Sequence, residues 1–146
     1  MQKKRMIYKK VRQIELLYSG TYKNINYHII SYGTHPCAYI EIPVGHPLYG
    51  IGYYDLYEKG FDIDVHGGFT YSQHSLMGIN TNNWILGWDY AHYDDYIYGL
   101  NDNGNLKKWT TSEIEKECQK VIEQVINLWY NFVVSEKTAC NPFLFF

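Results

Sequence analysis

The chain has 146 residues, of which 46% are hydrophobic and 19% are charged, and its formal net charge is −2 at pH 7. This composition predicts a single folded domain over residues 1–146 and excludes a disordered chain. The balanced charge argues against binding to duplex nucleic acid, which depends on many phosphate contacts, and no apolar run is long enough to cross a membrane.

The three cysteines, Cys37, Cys118 and Cys140, are too few and too widely spaced for a disulfide framework or a cysteine-rich zinc site. The basic start of the chain leads into a polar, amphipathic stretch where a secretory signal would have its apolar segment. Both features predict a protein of the reducing cytosol.

In chain order, the first predicted element is an N-terminal helix over residues 5–18, where apolar residues recur at helical spacing and Gly20 follows. Residues 26–32 and 37–43 are rich in β-branched and aromatic residues. They predict two strands joined as a hairpin by the turn of residues 33–36.

Residues 44–60 combine five glycine and proline positions with tyrosines, which predicts a long loop with a functional role. Three strands are then expected at residues 61–65, 69–72 and 83–88. The run of asparagine, aspartate and glycine at residues 101–105 predicts a solvent-exposed turn.

The last element is a long amphipathic helix from residue 110 onward. Ser112 and Glu115 have the spacing of a capping box, and an apolar stripe runs from Ile114 to Phe132. The apolar tail NPFLFF is expected to dock on the core. The predicted fold class is α+β, a mostly antiparallel twisted sheet flanked by the N-terminal helix and this C-terminal helix.

Reactive side chains concentrate in short stretches where histidine lies beside glycine, as in the segment DVHGG at residues 64–68. Histidine titrates near neutrality and binds metals, and glycine allows a ligand to approach the backbone. Asp62 is expected to be a solvent-exposed strand residue or a turn partner, and it is not a candidate for the site. The candidate catalytic residues are His46, His66, His92, Asp64 and Asp89, and the three histidines are expected to lie together. The candidate ligand-binding residues are Tyr49, Gly67, Gly68, Tyr71, Ser72 and Trp88.

Several kinds of chemistry fit these residues. One divalent metal ion would be held by the imidazoles and carboxylates and would generate a hydroxide. In the metal-free alternative, two histidines act as acid and base on a phosphodiester. A third alternative is a non-catalytic sponge, in which the aromatic residues stack on a bound nucleotide-like ligand without cleaving it. A fourth is a protein inhibitor of a host defence enzyme, anchored by its aromatic surface.

The stretches GHPLYG, DVHGGFTYS and GWDYAH, in that order, resemble a family of small phage-encoded proteins with the motifs GHPxYG, DVHGGxTYS and G[FW]DxAH. The resemblance covers roughly residues 39–95, and Tyr90 stands where the family has a cysteine. It implies a counter-defence factor in the cytosol of the infected cell, and several phage families of this kind capture or cleave nucleotide immune messengers. The histidines and aspartates of this chain favour hydrolysis of a nucleotide-like or phosphorylated ligand over its sequestration. The aromatic surface and the apolar tail favour a homodimer.

Overall fold

The computed structural model describes residues 13–100 and 105–140, and the side chains of residues 137–140 lie outside that description. Within it the fold is α+β, with five strands and one long helix. The elements are β1 (Glu15–Tyr22), β2 (Ile25–Ser31), β3 (Pro36–Ile42), β4 (Tyr71–Gln73), β5 (Trp84–Asp89) and helix α1 (Thr111–Cys140), with one turn of 3-10 helix at Tyr53–Asp55. In these residues no helix is both long enough and apolar enough to cross a membrane.

The strands form one antiparallel sheet in the order β1-β2-β3-β5-β4, which confirms the predicted sheet type. The β2–β3 hairpin is also confirmed. Because β5 pairs with β3 in the register Cys37↔Asp89, the chain leaves β5 beside the hairpin turn. The amide of Tyr90 donates to the Pro36 carbonyl at this edge. The segment after β5 is therefore fixed at one end of the sheet.

The predicted N-terminal helix is wrong where it can be compared. Its first part, residues 5–12, lies outside the described residues, and its last part, Glu15–Tyr18, belongs to β1. A bulge between Leu16 and Tyr18 shifts the register of β1 against β2. The bulge disturbs the two-residue alternation of a strand, so the end of this segment does not show a strand pattern in the sequence.

The predicted strand at residues 61–65 does not form, although its side chains alternate as predicted. Phe61, Ile63 and Val65 pack on the core, while Asp62 and Asp64 face solvent. The segment pairs with a helix side chain and not with a strand. Gln124 of α1 accepts a bond from the Asp64 amide at 2.7 Å and donates to the Asp64 carbonyl at 2.8 Å.

Helix α1 confirms the predicted C-terminal helix and covers one face of the sheet. The residues of its stripe that reach complete burial are Ile114, Cys118, Val121, Ile122 and Val125, which pack on β2, β3 and β5. The predicted capping box is displaced by two residues. Its members are Thr110 and Glu113, each of which accepts a hydrogen bond from the other's backbone amide at 3.1–3.2 Å.

The opposite face of the sheet carries a smaller apolar cluster and a buried polar network. Leu76 and Ile79 cover Ile85 there. Next to them, His28 Nε2 lies 2.6 Å from a carboxylate oxygen of the buried Glu41. The other oxygen of Glu41 accepts bonds from Thr81 at 2.7 Å and Asn83 at 3.0 Å. The predicted turn at 101–105 and the tail at 141–146 lie outside the described residues, Asn105 excepted.

Candidate functional site

His66 is positioned by the turn that ends the 61–65 segment. Its backbone amide donates to Glu117 of α1 at 3.1 Å, and the Gly68 amide closes the turn on the Val65 carbonyl at 2.9 Å. Gly67 and Gly68 have φ values of 68° and 81°. Glycine adopts this left-handed conformation without the penalty that other residues incur. The two glycines thus turn the chain immediately after His66.

Asp95 lies in the turn after β5 and is the buried centre of the site, with 2% of its surface exposed. One carboxylate oxygen, Oδ2, accepts bonds from the His92 amide at 2.9 Å and from His66 Nε2 at 2.8 Å. The other, Oδ1, accepts the Trp109 indole N–H at 2.8 Å. Burial acts to raise the pKa of Asp95, but these hydrogen bonds outweigh it and hold the pKa below its usual value. Asp95 is therefore a buried carboxylate anion.

The His66 ring is held in one orientation by aromatic neighbours. It stacks on Tyr90 with centroids 4.5 Å apart and an interplanar angle of 12°, and it meets the edge of Trp109 at 5.0 Å. Because a carboxylate accepts but does not donate, the proton between His66 and Asp95 lies on Nε2. The other ring nitrogen, Nδ1, makes no hydrogen bond to the described residues.

His92 brings a second imidazole to the same place. Its ring centroid is 5.4 Å from that of His66. Its Nε2 is buried and has no hydrogen-bond partner in the described chain. The nearest acidic oxygen, Oδ1 of Asp89, is 3.3 Å away but is poorly aligned for a hydrogen bond. Ligand atoms of His66, His92 and Asp95 all lie within 4.8 Å of one another, and these three residues are called the His66 group below.

Gly67 packs directly on the ring of His92. A Cβ added to Gly67 would stand 2.0 Å from His92 Nε2 and 2.3 and 2.4 Å from the two adjacent ring carbons. Because these three distances are short and nearly equal, the added Cβ of Gly67 would lie over the face of the His92 ring. The lone pair of Nε2 lies in the ring plane, so Gly67 covers the ring without blocking it.

Asp89, the last residue of β5, lies beside the His66 group. Its Oδ1 accepts the Ala91 amide at 3.1 Å, and its Oδ2 accepts the Thr70 hydroxyl at 2.9 Å. The structure therefore brings three predicted catalytic residues together, namely His66, His92 and Asp89.

His46 lies in a different environment. Its Nε2 donates to the Val125 carbonyl at 2.8 Å, its Nδ1 accepts the Leu48 amide at 3.0 Å, and its ring meets the edge of Trp129. Burial lowers the pKa of His46, although the bond to Val125 opposes this shift. Val125 is about eight residues, or roughly 12 Å, along the helix from Glu117, which holds His66. Both nitrogens of His46 are thus occupied: Nε2 fastens the 44–60 loop to α1, and Nδ1 orders the loop itself.

Asp64 also lies apart from the group. Its backbone is bonded to Gln124, its side chain is exposed, and its carboxylate makes no hydrogen bond to the described residues. Asp64 was expected to orient one of the histidine rings, and in the described residues its carboxylate is bonded to no imidazole.

The predicted ligand-binding residues divide among three places. Gly67 and Gly68 lie at the His66 group, whereas Trp88 is buried in the core and donates its indole N–H to the Tyr90 hydroxyl at 3.1 Å. The other three lie near β4 and are occupied by internal bonds: Tyr49 to the Asn82 carbonyl, Tyr71 to the Ser75 carbonyl and Ser72 to the Tyr53 amide.

Sequence reasoning missed Asp95 and Trp109. Asp95 stands three residues after His92, which is the spacing at which an aspartate side chain accepts a backbone amide within one turn. The sequence AHYDD contains this spacing between His92 and Asp95. Trp109 has no such local signal, since 14 residues separate it from Asp95.

Two cavities adjoin the site. Tyr90 and Trp109, whose rings contact His66, also line a cavity of about 420 Å³ that includes Lys108 and Thr34. Asp89 lines another of about 310 Å³, walled mainly by tyrosines. No family model, curated protein or solved structure matches the chain.

Proposed function

We propose that this chain binds a nucleotide-like or otherwise phosphorylated small molecule and hydrolyses a phosphodiester or related bond in it at the His66 group. Hydrolysis of such a bond needs a group that activates water and positive charge or hydrogen-bond donors that stabilise the phosphoryl oxygens. Two imidazoles beside a buried carboxylate provide groups of this kind.

One observation carries the proposal: His92 Nε2 is buried and unpaired next to the bonded pair of His66 and Asp95. An unsatisfied buried polar atom costs about 1–3 kcal/mol. A purely structural site would be expected to pair that nitrogen, as both nitrogens of His46 are paired. If a ligand or an ion pairs with this nitrogen when it binds, the free-energy cost of leaving the nitrogen unpaired is removed in the bound state.

The cavities favour a substrate with flat, polar parts. Tyr90 and Trp109 contribute aromatic faces to the cavity of about 420 Å³, and Lys108 contributes one positive charge to it. The rings of Tyr90 and Trp109 also contact His66. Aromatic faces stack on nucleobases, and a lysine can pair with a phosphate. The volume of about 420 Å³ is within the usual size of small-molecule sites.

The cellular role proposed here is counter-defence in the cytosol of an infected cell. Its support is the resemblance of GHPLYG, DVHGGFTYS and GWDYAH to motifs of small phage proteins. This role makes nucleotide immune messengers the first substrate class to test.

The test incubates the purified chain with cyclic dinucleotides and ADP-ribose derivatives, followed by mass spectrometry of the small molecules after heat release. Altered products that disappear in His92→Gln support hydrolysis. His74→Gln is the matched control, because His74 is an exposed histidine outside the His66 group. Intact, retained ligand would instead show a sponge. If neither turnover nor retention occurs, the proposal is refuted and inhibition of a partner protein becomes the better explanation.

A further inference from the structure

We infer that His66, His92 and Asp95 bind one divalent transition-metal ion of the zinc type, with Asp89 beside it. The inference deepens the proposed function, on which its catalytic meaning rests. The binding itself is measured without a substrate.

The distances in the His66 group are close to those of a metal site. His66 Nε2 and Asp95 Oδ2 are 2.8 Å apart, and ligand atoms of all three residues lie within 4.8 Å of one another. Zinc–nitrogen and zinc–oxygen bonds are about 2.0–2.2 Å, so tetrahedral ligand atoms stand roughly 3.3 Å apart. To admit the ion, His66 and Asp95 would move apart by about half an ångström, and the most distant pair of ligand atoms would close by up to about 1.5 Å. The proton on His66 Nε2 would move to Nδ1, so the ring stays neutral.

The unpaired nitrogen is the second, independent observation. The lone pair of His92 Nε2 is a metal ligand that finds no hydrogen-bond donor in the described chain. Gly67 approaches the face of this ring more closely than any larger residue could. The packing therefore fixes the imidazole and leaves the in-plane direction of its nitrogen available to an ion.

Neighbouring side chains make hydrogen bonds to the carboxylates of the site, as the residues behind the ligands do in known metal sites. Trp109 bonds the oxygen of Asp95 that faces away from His66, and Thr70 bonds one oxygen of Asp89. Bonds of this kind orient a ligand and raise metal affinity. Asp95 is also a buried anion, and a cation beside it would offset the cost of burying the charge.

The choice of metal follows from the donor atoms. Two imidazole nitrogens with carboxylate oxygen suit zinc and its transition-metal neighbours, whereas magnesium and calcium prefer a shell of oxygens. Three protein ligands leave a fourth position, which a catalytic zinc keeps for water. Asp89 Oδ1 lies 3.3 Å from His92 Nε2 and adds a carboxylate oxygen beside the group.

The experiment strips the full-length chain with a chelator, adds zinc or cobalt(II), and measures bound metal by elemental analysis and cobalt absorption spectra. We expect one ion per chain, at least 10-fold weaker binding in His92→Gln and unchanged binding in His74→Gln. Thermal unfolding of the metal-free proteins checks folding. His92→Gln should unfold near the wild-type temperature, because Nε2 makes no hydrogen bond to the described residues.

Substoichiometric metal in the wild type, or equal binding by wild type and His92→Gln, would overturn the metal site. The two proposals fail separately. Hydrolysis that persists in chelated, metal-free protein would refute a catalytic role for the metal and leave the hydrolase. Stoichiometric metal that depends on His92, without turnover of any substrate class tested, would retain the metal site and refute the hydrolase.

Discussion

Trp109 donates its indole N–H to Oδ1 of Asp95 at 2.8 Å, on the opposite side of the carboxylate from His66. The side chains of His66, Asp95 and Trp109 thus form one continuous hydrogen-bonded row. Because Asp95 is buried, its orientation depends on these bonds. Trp109 is therefore a positioning residue that acts on the site through Asp95.

Replacing Trp109 by phenylalanine keeps one aromatic ring beside His66 and removes the indole N–H together with the second ring. Loss of an outer-shell bond typically weakens metal affinity by about 10–100-fold, and we expect a loss in that range by competitive zinc titration. The matched control is Trp84→Phe. It removes a comparable indole bond, to the Ile51 carbonyl at 3.1 Å, and should leave metal affinity unchanged. Equal loss of affinity in both variants would show a general effect on folding.

Gly67 and Gly68 offer a matched pair of substitutions. Both have positive φ, so alanine at either position costs roughly 1–2 kcal/mol in backbone strain. Only at Gly67 would the new Cβ strike His92, since nothing lies within 4 Å of a Cβ at Gly68. Gly67→Ala should therefore abolish metal binding and turnover, and Gly68→Ala should retain them. Similar urea midpoints for the two folded variants would show that the difference is local to the site.

His46 predicts a particular pH dependence of stability. Burial lowers its pKa in the folded protein below the unfolded value of about 6.5. The unfolded chain then binds more protons as the pH falls, so the contribution of His46 is complete above about pH 6.5 and declines below it. His46→Gln should be less stable at pH 7.5 and show a shallower loss of stability between about pH 7 and pH 5. Urea unfolding across that range measures both effects.

If His46 serves only to fasten the loop, His46→Gln should still bind metal with wild-type stoichiometry at a temperature where it is folded. Loss of the metal from the folded variant would place His46 in the catalytic centre after all.

The Glu41 network makes a prediction about acid stability. Burial acts to raise the pKa of Glu41, but bonds from His28, Thr81 and Asn83 lower it overall. A lowered folded pKa stabilises the protein above the unfolded value of about 4.3, and this stability is lost as the pH falls through the folded pKa. Glu41→Gln should cost roughly 1.5–3 kcal/mol at pH 7, the worth of a charged hydrogen bond. Chemical unfolding at pH 7 and pH 3 should show a smaller difference at the lower pH.

The elements that the sequence predicts well are those whose pattern is set locally. Helix α1 has an apolar stripe of three and four residue steps, and the hairpin of β2 and β3 has two runs rich in β-branched and aromatic residues around a glycine turn. In β1 a bulge disturbs the pattern. The alternation at residues 61–65 correctly identifies the buried face, but it does not reveal that the backbone pairs with Gln124.

The candidate site could be predicted only in part. His66, His92 and Asp89 were found because each stands beside glycine or a strand end. His46 has the same local signature, yet its nitrogens bond to Leu48 and Val125. Which histidine is bonded to backbone and which is left unpaired depends on contacts with α1, far away in sequence. The three-residue spacing from His92 to Asp95 indicates only a local turn bond, whereas the bonds of Asp95 to Trp109 and His66 join residues that are distant in sequence.

The central claim is that His66, His92 and Asp95 converge on one bound ion. The most direct measurement is anomalous diffraction at the zinc edge from crystals of the zinc-loaded chain. We predict one peak within about 2.0–2.2 Å of a nitrogen of each imidazole and an oxygen of Asp95. A peak located elsewhere, or no peak under conditions that saturate an ordinary zinc site, would contradict the claim.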